Sequence, residues 1–171
     1  MCMSKVAVKT VNSATEALAH LADLMKSVCD EVRERAYRLF LEKGGGDGHD
    51  LEDWLTAERE LLCAPPCELT ETEHEIRIKA EVPGFDVKAL QVDVLPESIT
   101  IEGYVEKKEE GKGAKTLIQK RLLRQFELPA RIDPQRVKAT LENDLLEVVA
   151  KKEVSTVTPI VNKVNTHSAA A

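Results

Sequence analysis

The sequence predicts a mainly β fold, a β-sandwich preceded by an α-helical N-terminal region. Three observations carry this. Apolar residues recur at the helical period up to Leu62, the period changes to 2 after Glu68, and Cys63-Ala64-Pro65-Pro66-Cys67 marks the change. Alternation at period 2 gives a strand one apolar and one polar face. Several short strands of this kind, separated by turn residues and by no helical pattern, pack as two sheets face to face.

Taken in chain order, Met1 to Thr10 is polar and lacks an apolar core of signal-peptide length. From Ala14 to Leu39, the residues Leu18, Leu21, Met25, Val28 and Val32 step by 3, 4, 3 and 4, which sets them on one stripe of a helix. Asn12 or Ser13 caps it, with Glu16 in the first turn. The stripe suits a helix packed on a neighbour in the same protein, or an arm that joins copies of the chain or binds other chains. Gly44-Gly45-Gly46-Asp47-Gly48 stops the helix, since glycine reaches the positive φ values that end helices. Leu51, Trp54, Leu55, Glu58 and Leu62 then give a second helix. Pro65 and Pro66 lack backbone donors and hold the chain extended, as a stiff linker.

The strands follow. Ile76, Ile78, Ala80 and Val82 alternate with charged residues, Leu90, Val92 and Val94 with Gln91 and Asp93, and Ile99 and Ile101 with Thr100 and Glu102. Val137, Ala139 and Leu141 give another strand, and Leu146, Val148 and Ala150 the last. The mixed charges from Glu106 to Glu110 predict a solvated loop. The organisation is an amphipathic helical arm over residues 1–30, a helical hairpin over 31–62, a linker over 63–67, the sandwich over 68–153 and a mobile Thr-, Ser- and Ala-rich tail over 154–171.

Composition excludes several functions. A net charge of -6 argues against a nucleic-acid backbone as the main partner, and 4% aromatics are too few for a base-stacking platform. No apolar run approaches the roughly 18 residues that span a bilayer, so no membrane is expected and the cytoplasm is the default. There Cys2, Cys29, Cys63 and Cys67 are reduced thiols. Cys63 and Cys67, with His49 and His74, loosely approach a zinc pattern but lack a second close ligand pair. No catalytic elbow, phosphate loop or dinucleotide fingerprint is present. The expectation is no catalytic residue, no metal and no cofactor.

Three segments carry a family resemblance: Ala80-Glu81-Val82-Pro83-Gly84-Phe85, Arg124-Gln125-Phe126-Glu127-Leu128-Pro129, and Ala139-Thr140-Leu141-Glu142-Asn143-Asp144-Leu145-Leu146. In this order and spacing the chain resembles the α-crystallin domain of small heat-shock proteins, over roughly Glu68 to Glu153. The resemblance implies an immunoglobulin-like β-sandwich. It also implies a non-enzymatic, ATP-independent holdase that binds partly unfolded client proteins, together with a homodimer or larger oligomer. Residues 32–62 are similar to a small bacterial helical-hairpin module of unassigned function that is sometimes fused ahead of such domains.

The same resemblance assigns roles. Arg124 falls at the dimer interface, with Leu117 and Ile118 on a short strand, Lys115 to Gln119, that reaches across to the partner. Leu90, Val92, Val94, Val137, Ala139 and Leu141 outline a groove for a C-terminal tail, and alternation alone makes them sandwich core. The family's Ile-x-Ile/Val tail triplet is absent; Ile160 and Val161 stand as a degenerate anchor. Asp144 replaces a turn glycine, at a cost of about 1 kcal/mol. For client binding, the stripe Leu18, Leu21, Leu24, Met25 and Val28 is the candidate surface, with Met25 suited to irregular partners. The alternative is a co-chaperone-like binding module that recognises one folded partner.

Overall fold

The computed structural model describes residues 4–46, 48–111 and 114–154. Among these residues, ten strands form two five-stranded sheets, with two α-helices before the main body of strands. The first sheet runs β1 (Ser4–Lys5), β9 (Ile132–Glu142), β10 (Leu145–Lys152), β5 (Glu75–Glu81), β4 (Cys67–Glu71). The second runs β2 (Ala7–Thr10), β6 (Leu90–Val94), β7 (Ser98–Gly111), β8 (Ala114–Glu127), β3 (Leu62–Cys63). The helices are α1 (Ala14–Glu42) and α2 (Asp50–Leu61).

The expected alternation builds the core. Ile76, Ile78 and Ala80 of β5 meet Leu146, Val148 and Ala150 of β10 in antiparallel register, and Val92, Val94, Ile99 and Ile101 close from the other sheet. Each such aliphatic side chain contributes about 1.5–3 kcal/mol relative to exposure. Pro83-Gly84 reverses the chain after β5, with Gly84 at φ 83° and the Phe85 N–H donating to Val82 O at 3.2 Å. That is the positive φ a tight turn needs at its third position. Phe85 then buries against Gly103 of β7, where an added Cβ would lie 3.0 Å from the Phe85 and Leu90 side chains. Gly103 is thus a close-approach glycine in a strand. Pro134 sits where β9 loses register against β10, the irregularity that a strand proline requires.

α1 begins as the sequence predicts: Ser13 Oγ accepts from the Glu16 N–H at 3.1 Å. It ends at Gly44 and Gly45, whose amides reach back to Leu41 O and Phe40 O. No breaker interrupts it, so one helix crosses the expected boundary between residues 30 and 31. Val28, Val32 and Leu39 bury against Ala57 and Leu61 of α2, forming a second small core.

Four features differ from expectation. Residues 4–10, read as polar and placed within the helical arm over residues 1–30, form β1 and β2, because both sheet edges offer unpaired backbone groups to them. Residues 106–110, expected as a solvated loop, lie inside β7, because every position there has a partner on β8. The short partner-reaching strand Lys115 to Gln119 is part of β8, hydrogen-bonded in one continuous hairpin with β7 of the same chain. The linker is partly strand: Cys63 pairs with β8, Cys67 opens β4, and Pro65 is buried.

Candidate functional site

The first half of α1 lies over the outer face of the second sheet. A cleft of about 890 Å³ opens between them, lined by Leu18, Leu21, Leu24, Leu95 and Leu128 together with polar groups of β6 and β7. The stripe expected to bind clients splits by depth. Leu18 is 65% exposed and Met25 47% exposed. Leu21 and Leu24 are half-buried along the cleft. Val28 is buried in the contact with α2 and is not available to a client, because α2 crosses α1 at that turn. α2 adds Leu51, 71% exposed, and Leu55.

Charged contacts fix the helix to the sheet. Arg121 of β8 donates from Nε to Glu31 Oε2 at 2.9 Å, and a second guanidinium nitrogen reaches Ser27 Oγ at 3.1 Å. Its guanidinium stacks 4.6 Å above the Tyr104 ring, and the Glu31 carboxylate raises its pKa above the ordinary arginine value. At the start of the helix, His20 Nε2 lies 3.2 Å from Glu102 Oε2 and 3.7 Å from Asp93 Oδ2. Sequence reasoning missed both clusters. The helix residues stand 73 to 94 positions from their strand partners, and no local spacing announces them.

The groove residues belong to strands of different sheets: Leu90, Val92 and Val94 on β6, and Val137, Ala139 and Leu141 on β9. Residues 4–10 of the same chain occupy the edge they share. β1 pairs antiparallel with β9 at Leu141 and Thr140, β2 pairs parallel with β6 from Gln91 to Val94, and Val6 between them is buried. The Val6 N–H donates to Ala139 O at 3.0 Å. The alternation of Val6 and Val8 with Ala7 and Lys9 was the available sequence signal. Ile160 and Val161 lie outside the described residues.

Arg124 is exposed on β8 opposite Ile101 and makes no ion pair among the described residues. Leu117 is exposed and Ile118 half-exposed on the distal part of the same strand. Cys63, Cys67, His49 and His74 gather no three-ligand cluster among the described residues; the cluster that does form is His20, Asp93 and Glu102.

No described helix is long and apolar enough to cross a membrane. Residues 68–166 match the model of the Hsp20/alpha crystallin family, and residues 30–62 match that of a protein of unknown function, DUF2934. Small heat shock protein C2 of Rickettsia felis is 28% identical over 103 residues, covering 57% of this chain and 66% of that relative's length. Among solved structures, stress-induced protein 1 from Caenorhabditis elegans is 26% identical, with a TM-score of 0.44 over 53% of this chain and 65% of that one. Heat shock protein 16.0 from Schizosaccharomyces pombe is 23% identical, with a TM-score of 0.43 over 53% of this chain and 87% of that one. The family-model match covers more than half of the sequence, and the chain belongs to the Hsp20/alpha crystallin family, the small heat-shock chaperones.

Proposed function

We propose that the protein is an ATP-independent holdase that captures partly unfolded chains on its helical region and keeps them from aggregating. The observation that carries this reading is the set of exposed apolar side chains on the helices, Leu18, Met25, Leu51 and Leu55, borne on a charged frame. Unfolding clients present apolar patches, and each ~100 Å² buried contributes about 2.5 kcal/mol. The net charge of -6 keeps a loaded complex dispersed. Such work needs no nucleophile and no cofactor, and the cytoplasm is the compartment that fits reduced thiols. The chain acts as a dimer or larger assembly, with Leu117, Ile118 and Arg124 at the contact between copies.

The test is suppression of client aggregation without nucleotide, measured by light scattering at near-stoichiometric ratios. Leu18→Ser with Met25→Ser is expected to weaken suppression at least tenfold, while circular dichroism shows an unchanged fold. Equal suppression by the variant, or none by the parent chain, overturns the reading. In the second case a co-chaperone-like role toward one folded partner takes its place. The exposed face of Tyr37, Leu51 and Leu55 on the helical hairpin is where that partner would bind.

A further inference from the structure

We propose that His20, Asp93 and Glu102 form a binding site for a divalent transition-metal ion, with Zn2+ the ion that the donor set fits. The site borders the cleft that Leu18 also lines, but it rests on its own donor set and stands without the holdase reading.

The two carboxylates come from neighbouring strands. Gln91 is in register with Glu102 and Asp93 with Thr100, so Asp93 and Glu102 sit diagonally on the outer face of the second sheet. Like charges so placed repel. Asp93 makes this worse, because its side chain is only 9% exposed under α1. Burying a carboxylate costs several kcal/mol unless a cation or strong donors compensate. Among the described residues, the basic nitrogen within 4 Å of either carboxylate is that of His20.

The imidazole by itself is a poor match. Its Nε2 is 3.2 Å from both Glu102 oxygens and 3.7 Å from Asp93 Oδ2. A single N–H points at one acceptor, and a charge-assisted bond would draw in to about 2.7–2.9 Å. A tetrahedral zinc ion with bonds of about 2.0–2.1 Å holds its ligand atoms about 3.3 Å apart. The observed separations bracket that edge length, and one donor atom from each of the three residues lies within 4.8 Å of the others. The remaining pieces also fit. Gln91 Nε2 donates to Asp93 Oδ1 at 2.8 Å, fixing the carboxylate and leaving Oδ2 for the ion. His20 and Asp93 line the cleft beneath α1, which gives an entry path and room for a water as fourth ligand. Two carboxylates and a neutral imidazole balance a divalent charge. Calcium and magnesium call for six or more oxygen ligands or a largely hydrated ion, whereas imidazole with carboxylates suits zinc. Bound there, the ion ties the first turns of α1 to β6 and β7.

The test uses the full-length chain with Cys2, Cys29, Cys63 and Cys67 replaced by Ser, which removes thiolate sites. Stripped with chelator and titrated calorimetrically with ZnCl2, it is expected to bind a single ion per chain at micromolar concentration. MgCl2 and CaCl2 should give no comparable heat. His20→Ala and Glu102→Gln should each weaken zinc binding at least tenfold, and zinc should raise the melting temperature of the parent but not of the variants. His20 is 44% exposed, so its removal leaves the packing intact. If it lowers the zinc-free melting temperature, Glu102→Gln carries the comparison. Zinc uptake unchanged in both variants, or absent from the cysteine-free parent, overturns the site and leaves a histidine–carboxylate contact in its place.

Discussion

Asp144 shows how far a single residue departs from what its position asks. The β9–β10 hairpin turns through Asn143 at φ 49° and Asp144 at φ 62°. Both are left-handed, as a two-residue turn that follows the sheet twist requires. Asparagine and aspartate tolerate this region better than other side chains, and glycine does so without steric cost. The turn also carries a load: Asp144 O accepts from the Val82 N–H at 2.7 Å, joining it to the end of β5. Asp144→Gly keeps that carbonyl. We expect it to stabilise the protein by about 1 kcal/mol, less whatever the freer unfolded chain gives back, read as a higher urea midpoint at unchanged slope. A lower midpoint would mean that the Asp144 side chain stabilises the turn in a way its φ does not reveal. This turn was legible in the sequence because its chemistry is local, as were Pro83-Gly84 and the Ser13 cap. Arg121–Glu31 and the His20 cluster were not, because each needs a helix face and a strand face that only the folded chain brings together.

At the scale of elements, periodicity gave the helices and the core strands, and it failed at residues 4–10 and at residues 106–110 of the β7–β8 hairpin. A strand is defined by its partner as much as by its own pattern. Val6 and Val8 alternate over too few residues to stand out against Lys5 and Lys9. They become strands because β9 and β6 expose edges beside them. Of the six groove residues, Leu90, Val92, Val94, Ala139 and Leu141 are buried in the sandwich and Val137 packs partly buried against it, and alternation could not say that residues 4–10 of the same chain would cover their edge. This predicts the behaviour of Val6→Asp. A buried carboxylate at that position costs several kcal/mol, more than two short strand pairings contribute, so the segment should detach. Hydrogen exchange at the amides of Val6 and Val11, which donate to Ala139 O and Val94 O, should rise to near-unprotected rates. Exchange in β5 and β10 should stay slow. Equal loosening of β5 and β10 would show that the segment is integral to the sandwich and is no detachable cover.

At the scale of the molecule, the β7–β8 hairpin is the part a single copy leaves least supported. β6 flanks β7 only as far as Gly103, and β3 touches β8 only at Arg121 and Leu122. Among the described residues, the two strands pair beyond these points with each other alone, out to Gly111 and Ala114. An isolated two-stranded ribbon is marginal in water and gains stability by adding a strand or an apolar face. This one presents Leu117, 38% exposed, on a strand whose root carries the exposed Arg124. Docking the ribbon on a second copy would bury that side chain and give its free edge a partner. The family resemblance pointed to the same residues through a separate short strand, whereas here they sit on one continuous hairpin. Leu117→Glu with Ile118→Glu should therefore lower the assembled mass in light scattering coupled to size exclusion, toward a monomer of 19.0 kDa. The melting of the α1–α2 contact, followed by Trp54 fluorescence, should not change, since that residue packs in the helical core away from the ribbon. A mass that stays at the parent value would move the contact between copies to the exposed helices. The apolar side chains assigned to clients would then be partly occupied by self-association.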